Sequence, residues 1–283
     1  RDAAAMVGQL LRWGLAFSLL FAMGCRPRDA AEDMDGGGLI FHDLDLASRP
    51  GDMRRAVDLS SADLATGPVV GEVLVMGGAF TMGSSGGALN EQPPHSVTVP
   101  SFYLDEREVT VGLYDRCVAA GACTDRSNQY PECNQPSAGP ANCVNPEQAE
   151  RFCRWAGRRL PSEEEWEFAA RGSRGSEYPW GAAPGAPGCW NRSVPCLGGG
   201  YAKTLLGEQT DAGVYDLAGG VAEWTSSPLC SYPNNANCDA SVRVLRGGSW
   251  RSTMIAELRG AARDSKPTWM QHPAIGFRCA RTP

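Results

Sequence analysis

Eleven cysteines in 283 residues constrain this chain more than any other feature of its sequence. None of them stands in a Cys-x-x-Cys pair, the usual spacing of zinc ligands and redox-active dithiols. The closest spacings are wider and run from Cys117 to Cys123, from Cys189 to Cys196 and from Cys230 to Cys238. Scattered cysteines in a glycine-rich chain are typical of disulfides formed in an oxidising compartment. The sequence therefore predicts a disulfide-braced domain outside the cytoplasm.

The N-terminal segment predicts how the chain reaches that compartment. Arg12 precedes an apolar run from Trp13 to Gly24, which has the length of a signal-peptide core and is too short to span a bilayer. The run ends at Cys25, as in a bacterial lipoprotein signal, where the cysteine is acylated and becomes the mature N-terminus. Without Cys25, ten cysteines remain, an even number that can pair completely. The alternative is an ordinary secretory signal with a chance cysteine.

These features predict three segments. Residues 1–25 are a lipoprotein-type signal peptide, residues 26–70 a flexible tether rich in Asp, Gly, Ala and Ser, and residues 71–283 one compact α+β domain. The predicted location is the bacterial cell envelope, where the lipid anchors the protein in a membrane and the domain faces the periplasm or the cell exterior. A net charge of −6 argues against a nucleic-acid partner, which needs clustered basic residues.

Local signals place three helices early in the domain. Thr110, Asn145 and Ser162 each precede a helical pattern and are suitable N-caps, and Ser162 forms a Ser-x-x-Glu capping box with Glu165. Short strands are predicted from Glu72 to Met82, and the sequence after Gly172 reads as loops and short strands.

A series of motifs then identifies a family. They are Gly77-Gly-Ala-Phe-Thr-Met-Gly83, Pro94-His95, Glu108-Val-Thr110, Arg158-Arg-Leu-Pro-Ser-Glu-Glu-Glu-Trp-Glu-Phe-Ala-Ala-Arg-Gly172, Tyr178-Pro-Trp-Gly181, Asp216-Leu-Ala-Gly-Gly-Val-Ala-Glu-Trp224, Arg246-Gly-Gly-Ser-Trp250 and Gly276-Phe-Arg-Cys-Ala-Arg281. In this order the chain resembles the formylglycine-generating enzyme, or sulfatase-modifying factor, family. The resemblance implies a variant of the C-type-lectin-like fold, low in regular secondary structure. Because the family also contains members with other functions, the fold does not settle the activity.

The resemblance also implies what the active centre lacks. The cysteine pair that binds copper(I) in formylglycine-generating enzymes corresponds here to Ser252 and Glu257. A hydroxyl and a carboxylate do not replace two thiolates around that soft ion, so no copper is expected. Ala222 replaces a family tryptophan, whereas Ser249, beside the oxygen-binding site in the family, is kept. Classical copper-dependent oxidation of a sulfatase cysteine is therefore not expected.

Three functions stay open at this stage. The first is a binding or accessory module that has lost the redox centre and recognises an unknown protein, peptide or glycan. The second is an enzyme of the same superfamily with repurposed pocket chemistry, an oxidoreductase or another class; one version uses Ser252 as a nucleophile with Glu257 or His272 as its base. The third is an oxidase that uses a different cysteine, which complete disulfide pairing would exclude.

The resemblance further implies calcium. Asp216 and Glu223, with the carbonyls of Gly219 and Val221, match a family calcium site and offer the hard oxygen ligands that this ion prefers. The alternative is that Asp216 shapes a turn and Glu223 pairs with an arginine. A second family site is weaker here, because Asn191 and the carbonyl of Arg192 are kept but Gly199 stands where an aspartate is expected.

Among disulfides, Cys153 with Cys279 matches a family bridge between the second helix and the last strand. The three close pairs named above are plausible local closures, and they leave Cys133 to pair with Cys143. The sequence alone does not fix these pairings.

Overall fold

A computed structural model of the chain describes residues 71–181, 188–196 and 213–283. The predicted signal peptide, its Cys25 and the predicted tether lie outside these residues, as does Gly199. Within the described part, no helix is both long and apolar enough to cross a membrane.

In the described residues, nine strands form three separate sheets. A three-stranded antiparallel sheet has the order β1-β4-β9, β2 and β3 form a two-stranded sheet, and the third sheet has the order β7-β6-β5-β8, with β8 parallel to β5. The strands are β1 (Glu72–Val75), β2 (Gly78–Met82), β3 (His95–Val99), β4 (Phe102–Asp105), β5 (Ala222–Ser231), β6 (Ala236–Arg246), β7 (Asp264–Pro267), β8 (Ile275–Gly276) and β9 (Ala280–Arg281).

The three helices begin at the predicted caps. The side chain of Thr110 accepts a hydrogen bond from the Leu113 N–H at the start of α1 (Val111–Ala119). Asn145 and Ser162 cap α2 (Pro146–Trp155) and α3 (Glu163–Arg171), and both form capping boxes with the side chain three residues later. The predicted Ser162–Glu165 box is thus confirmed, because a cap depends only on residues close in sequence.

Two apolar clusters hold the sheets and helices together. In the first, Phe152 of α2 lies between Tyr114 of α1 and Phe277, at ring-centroid distances of 5.8 and 5.4 Å. In the second, Trp166 and Phe168 of α3 pack against β2 and β4. Burial of these large aromatic surfaces contributes favourable free energy to a fold that contains little helix.

Each described cysteine lies in a disulfide, so this part of the chain has no free thiol. The bridge between α2 and the C-terminal strand is the pairing that the resemblance implies, and its two residues are fully buried in the first cluster. The other four are the three local closures and the remaining Cys133–Cys143 pair considered above. The five bridges are Cys117–Cys123, Cys133–Cys143, Cys153–Cys279, Cys189–Cys196 and Cys230–Cys238.

One element departs from the predicted short strands after Gly172. β5 and β6 are 10 and 11 residues long and form a hairpin whose register shifts between Trp224 and Ser231. Residues 236–241 of β6 are all exposed and polar or small, so they lack the apolar alternation that marks a strand in a sequence. The Cys230–Cys238 bridge closes the protruding end of this hairpin.

Candidate functional site

Two glycines shape the centre of the candidate site. Gly247 and Gly248 follow β6 with φ angles of +93° and +65°, a region that side chains other than glycine rarely adopt. A Cβ on Gly248 would also lie 2.8 Å from Leu258 Cδ2 and 2.9 Å from the Glu257 carbonyl oxygen. The turn therefore requires glycine for both conformation and space, and it delivers Ser249 into the site.

A cavity of about 600 Å³ opens beside this turn. Ser249, Ser252 and Glu257 all line it, so the structure brings the three predicted pocket residues together. Much of the remaining lining is glycine or alanine, including Ala222 at the position of the family tryptophan. The small side chains leave the cavity open, and its size is typical of ligand pockets.

Ser252 and Glu257 are both engaged in local backbone hydrogen bonds. Ser252 Oγ accepts from the Ser249 N–H at 3.1 Å. Glu257 Oε2 accepts from the N–H groups of Thr253 and Met254 at 2.9 and 3.3 Å, and so caps the 3₁₀ turn Ile255–Leu258. Among the described residues, no carboxylate or imidazole hydrogen-bonds the Ser252 hydroxyl. The serine nucleophile considered above thus lacks a base in this arrangement.

His272 lies in a different group of side chains. Its Nδ1 accepts from the Ala274 N–H at 3.2 Å, and its Nε2 is 3.5 Å from Arg251 Nη1. Burial, and then the charge of Arg251, lowers the pKa of His272. The ring is tilted against Tyr130 at a centroid distance of 6.0 Å, and in the described chain its hydrogen-bond partners are Arg251 and Ala274 and none of the three pocket residues.

An ion pair that the sequence analysis missed closes one side of the cavity. Arg259 donates to both oxygens of Glu91, at 2.9 and 2.8 Å, and both residues line the cavity. Nearby, Arg263 Nη1 donates to the Asn90 carbonyl at 3.1 Å, and Asn90 Nδ2 returns a hydrogen bond to the Arg263 carbonyl at 2.9 Å. Because Glu91 and Arg259 are 168 residues apart, no local pattern links them.

Buried carboxylates of α3 bind Arg246 and Arg263, two arginines that line the cavity. Glu163 binds Arg263 through both oxygens, at 2.8 and 2.6 Å, and it also accepts from Arg246 Nη2 at 3.0 Å. Glu167 lies 2.9 Å from Arg246 Nη1 and 2.5 Å from Arg171 Nη1. Glu163 and Glu167 are four residues apart, so the sequence predicts that they lie on one face of α3. It does not identify the arginines that bind them.

Arginine side chains bind both carboxylates of the predicted calcium loop. Glu223 Oε1 accepts from Arg278 Nη2 at 2.7 Å, and its Oε2 accepts from Arg278 Nε and Trp166 Nε1, both at 2.7 Å. Asp216 has a φ of +59°, and its Oδ2 accepts from Arg107 Nη1 at 3.1 Å. The arrangement matches the alternative in which Asp216 shapes a turn and Glu223 pairs with an arginine.

Backbone groups of the same loop face a third carboxylate. The Val221 N–H donates to Glu108 Oε1 at 2.8 Å, and Gly219 packs against the Cys189 carbonyl. Burial and the neighbouring carboxylates of Asp216 and Glu223 raise the pKa of Glu108 well above its usual range.

In the described residues, no group of three His, Cys, Asp or Glu side chains is arranged so that it could hold one metal ion. Both oxygens of Glu223 already accept hydrogen bonds from Arg278 or Trp166, so calcium would have to compete with these donors. Calcium binding itself stays a prediction that equilibrium dialysis can test.

The weaker predicted calcium residues lie against the site. The Asn191 N–H donates to the Ser252 carbonyl at 2.9 Å, and the Arg192 N–H donates to the Trp250 carbonyl at 2.8 Å. The loop closed by Cys189–Cys196 is thereby held against the Gly-Gly-Ser-Trp segment. The side chains of Asn191 and Arg192 are exposed.

Comparison with known proteins identifies the family. A family model described as the sulfatase-modifying factor enzyme 1-like domain matches residues 59–283. The chain belongs to this family. Its sulfatase-modifying-factor domain therefore includes every motif on which the resemblance was based.

Relatives of this domain differ in activity. It is 37% identical to bovine (Bos taurus) inactive C-alpha-formylglycine-generating enzyme 2 over 146 residues, which cover 47% of this chain and 46% of that protein. It is 30% identical to the formylglycine-generating enzyme of Streptomyces coelicolor over 279 residues, which cover 74% of this chain and 88% of the relative. The chain spans about half the length of the first relatives that it matches.

Solved structures show the fold of the sulfatase-modifying-factor domain. PvdO from Pseudomonas aeruginosa superposes with a TM-score of 0.61 at 22% identity, covering 75% of this chain and 94% of PvdO. The domain has the expected C-type-lectin-like variant of the formylglycine-generating-enzyme fold, with few helices and several disulfides. At this identity the likeness concerns the fold alone.

Proposed function

We propose that this chain is a binding or accessory member of the sulfatase-modifying-factor family that lacks copper-dependent oxidation chemistry. Its cavity at Ser249, Ser252 and Glu257 would receive a segment of a protein, peptide or glycan instead of a sulfatase cysteine. A relative that is named as inactive supports this proposal, because its name shows that the family includes proteins without the enzyme activity.

One observation carries the proposal. The two positions that correspond to the copper-binding cysteines hold Ser252 and Glu257, and both side chains are used to hold the local backbone. Each cysteine of the described chain is in a disulfide, so none of these can act as a substitute thiolate. Copper(I) needs soft thiolate ligands, which this site does not offer.

The proposed place of action is the cell envelope. Residues 13–25 have the pattern of a lipoprotein signal, and five disulfides suit an oxidising compartment. We infer that lipid on Cys25 tethers the domain to a membrane through residues 26–70.

Copper capture tests the loss of oxidation chemistry. Purified chain is loaded with copper(I), dialysed and analysed for metal, beside the double variant Ser252→Cys/Glu257→Cys. The Ser252 hydroxyl and the backbone carbonyl of Glu257 both lie beside Gly248, and the two residues correspond to the family's copper ligands, so the double variant should gain copper while the wild type retains none. A cysteine-containing peptide should remain unoxidised with the wild type. One tightly held copper per wild-type chain, together with oxidation of that peptide, would contradict the proposal.

A further inference from the structure

The positive charges that line the cavity beside the Gly-Gly-Ser turn are compensated by the domain itself. Three of the lining residues are arginines, and each is bound by a buried carboxylate. Arg259 donates to both oxygens of Glu91. Arg246 and Arg263 both donate to Glu163. An anionic ligand in the cavity would therefore have to compete with these internal carboxylates.

The carboxylates of the same lining are compensated unequally. Asp264 accepts from Lys266 Nζ at 3.0 and 2.7 Å. Glu257 accepts instead from the backbone, since its Oε2 binds the N–H groups of Thr253 and Met254. Within the described part of the chain, no cationic side chain forms a salt bridge with Glu257. Its carboxylate therefore supplies a negative charge to the cavity that a cationic ligand can satisfy.

Two hydroxyl oxygens line the cavity in the same segment of the chain. Ser252 Oγ accepts from the Ser249 N–H at 3.1 Å, and Ser249 Oγ accepts from the Arg251 N–H at 3.3 Å. Because a hydroxyl oxygen carries two lone pairs, each of them keeps a second acceptor position. Together with Glu257, this segment offers the cavity three acceptor oxygens, one of which is charged.

The arrangement of Glu257 favours an ammonium ligand over a guanidinium. A guanidinium pairs best with both oxygens of a carboxylate through its planar fork. Here Oε2 is held by two backbone N–H groups, which leaves Oε1 for a ligand. An ammonium is a compact charge with three donors, so it can bind one carboxylate oxygen and two hydroxyl oxygens together.

The remaining lining suits an alkyl stem that carries such an ammonium. Several of the lining residues have no polar side chain and are small, among them Gly86, Gly87, Ala88, Ala222 and Ala256. The stem of a lysine packs along apolar surface while its charged end meets polar groups. A volume of about 600 Å³ has room for this side chain and the backbone beside it. A lysine therefore matches both parts of the cavity.

We propose that the cavity receives a lysine side chain of the partner protein, whose ammonium binds Glu257 together with the hydroxyl oxygens of Ser249 and Ser252. This inference rests on the proposed function, because it names the side chain that enters the same cavity. It makes Glu257 the residue that selects the ligand, since its carboxylate supplies the charge.

A set of matched peptides tests the identity of the ligand. Short capped alanine peptides with lysine, norleucine or arginine at the centre are titrated into the full chain, and binding is measured by calorimetry. Norleucine keeps an alkyl stem like that of lysine but has no charge. We expect the lysine peptide to bind at least about tenfold more tightly than either of the others. Equal affinity for the lysine peptide and the norleucine or arginine peptide would refute the inference.

Variants at two lining carboxylates test the contact in the cavity. Glu257→Gln removes the charge but keeps an oxygen for the N–H groups of Thr253 and Met254. Asp264→Asn removes a charge that Lys266 already binds, and it is the matched control. Binding of the lysine peptide should weaken at least about tenfold for Glu257→Gln and less than about threefold for Asp264→Asn. Melting temperatures show whether each variant is folded.

A cavity-filling variant separates this inference from the proposed function. Ala222→Trp places an indole at the cavity wall and should remove measurable binding of the lysine peptide. If Ala222→Trp blocks binding but Glu257→Gln does not, the cavity still receives a peptide and only the lysine contact is refuted. If the peptide binds Ala222→Trp as tightly as the wild type, it binds elsewhere, and both the inference and the proposed use of the cavity are refuted. No binding of any peptide would refute lysine recognition, while copper capture still tests the proposed function.

Discussion

At the scale of single residues, buried charges decide much of the behaviour of this domain. Arg278 is fully buried and bridges Glu223 to the carbonyls of Asp105, Tyr215 and Asp216. Such an arginine joins three segments that are distant in sequence. Removing the Glu223 carboxylate would take away the counterion that is hydrogen-bonded to this buried charge, and breaking a buried pair in this way typically costs about 3–5 kcal/mol.

Asp105 should give the domain a measurable pH dependence. Burial raises its pKa from 3.8 to about 6, although Arg158 and the Cys279 N–H oppose that shift. At a pH between these two pKa values, Asp105 keeps its proton in the folded protein and releases it in the unfolded chain. The stabilisation from this group is therefore complete below pH 3.8 and is lost as the pH rises through about 6, a change of about 3 kcal/mol.

Denaturation of the wild type and Asp105→Asn from pH 4 to pH 7 measures this contribution. The asparagine does not titrate, so the difference in unfolding free energy should move in favour of the variant as the pH rises. Parallel stability curves would show that Asp105 has an ordinary pKa.

At the scale of elements, local patterns predicted local structure, whereas a distant contact such as Cys153–Cys279 was predicted only through the family resemblance. The caps at Thr110, Asn145 and Ser162 were predictable because each involves residues at most three apart. The Gly-Gly-Ser turn and its pocket residues followed from a recognisable motif. The contact between Glu91 and Arg259 was not predictable, because it joins two irregular segments through tertiary folding alone.

The disulfides should stabilise these elements unequally. The Cys153–Cys279 bridge closes a separation of 126 residues, whereas Cys117–Cys123 closes six. In the loop-entropy model, the long bridge contributes about 5 kcal/mol and the short one about 2 kcal/mol. Double Cys→Ala variants of each pair, compared by thermal unfolding, should rank in that order. Equal losses in melting temperature would indicate that native-state packing, and not the unfolded chain, sets the contribution.

At the scale of the whole molecule, the proposed anchor determines where the domain is found. We expect the protein to fractionate with membranes of a bacterial host and to be released by Cys25→Ser, which removes the acylated thiol. Mass spectrometry of the mature N-terminus is the direct measurement. A soluble wild-type protein cleaved at another residue would contradict lipidation.

The topology of the bridges has a consequence for biogenesis. A chain that emerges N-terminus first can pair Cys117 with Cys123 and then Cys133 with Cys143 in order of appearance. Cys153 must instead remain unpaired while the cysteines of two later bridges appear, because its partner is Cys279. An oxidase that joins consecutive thiols would link Cys153 to Cys189. Efficient production of this domain therefore requires a disulfide isomerase, or oxidation that waits until the last strand has been translocated.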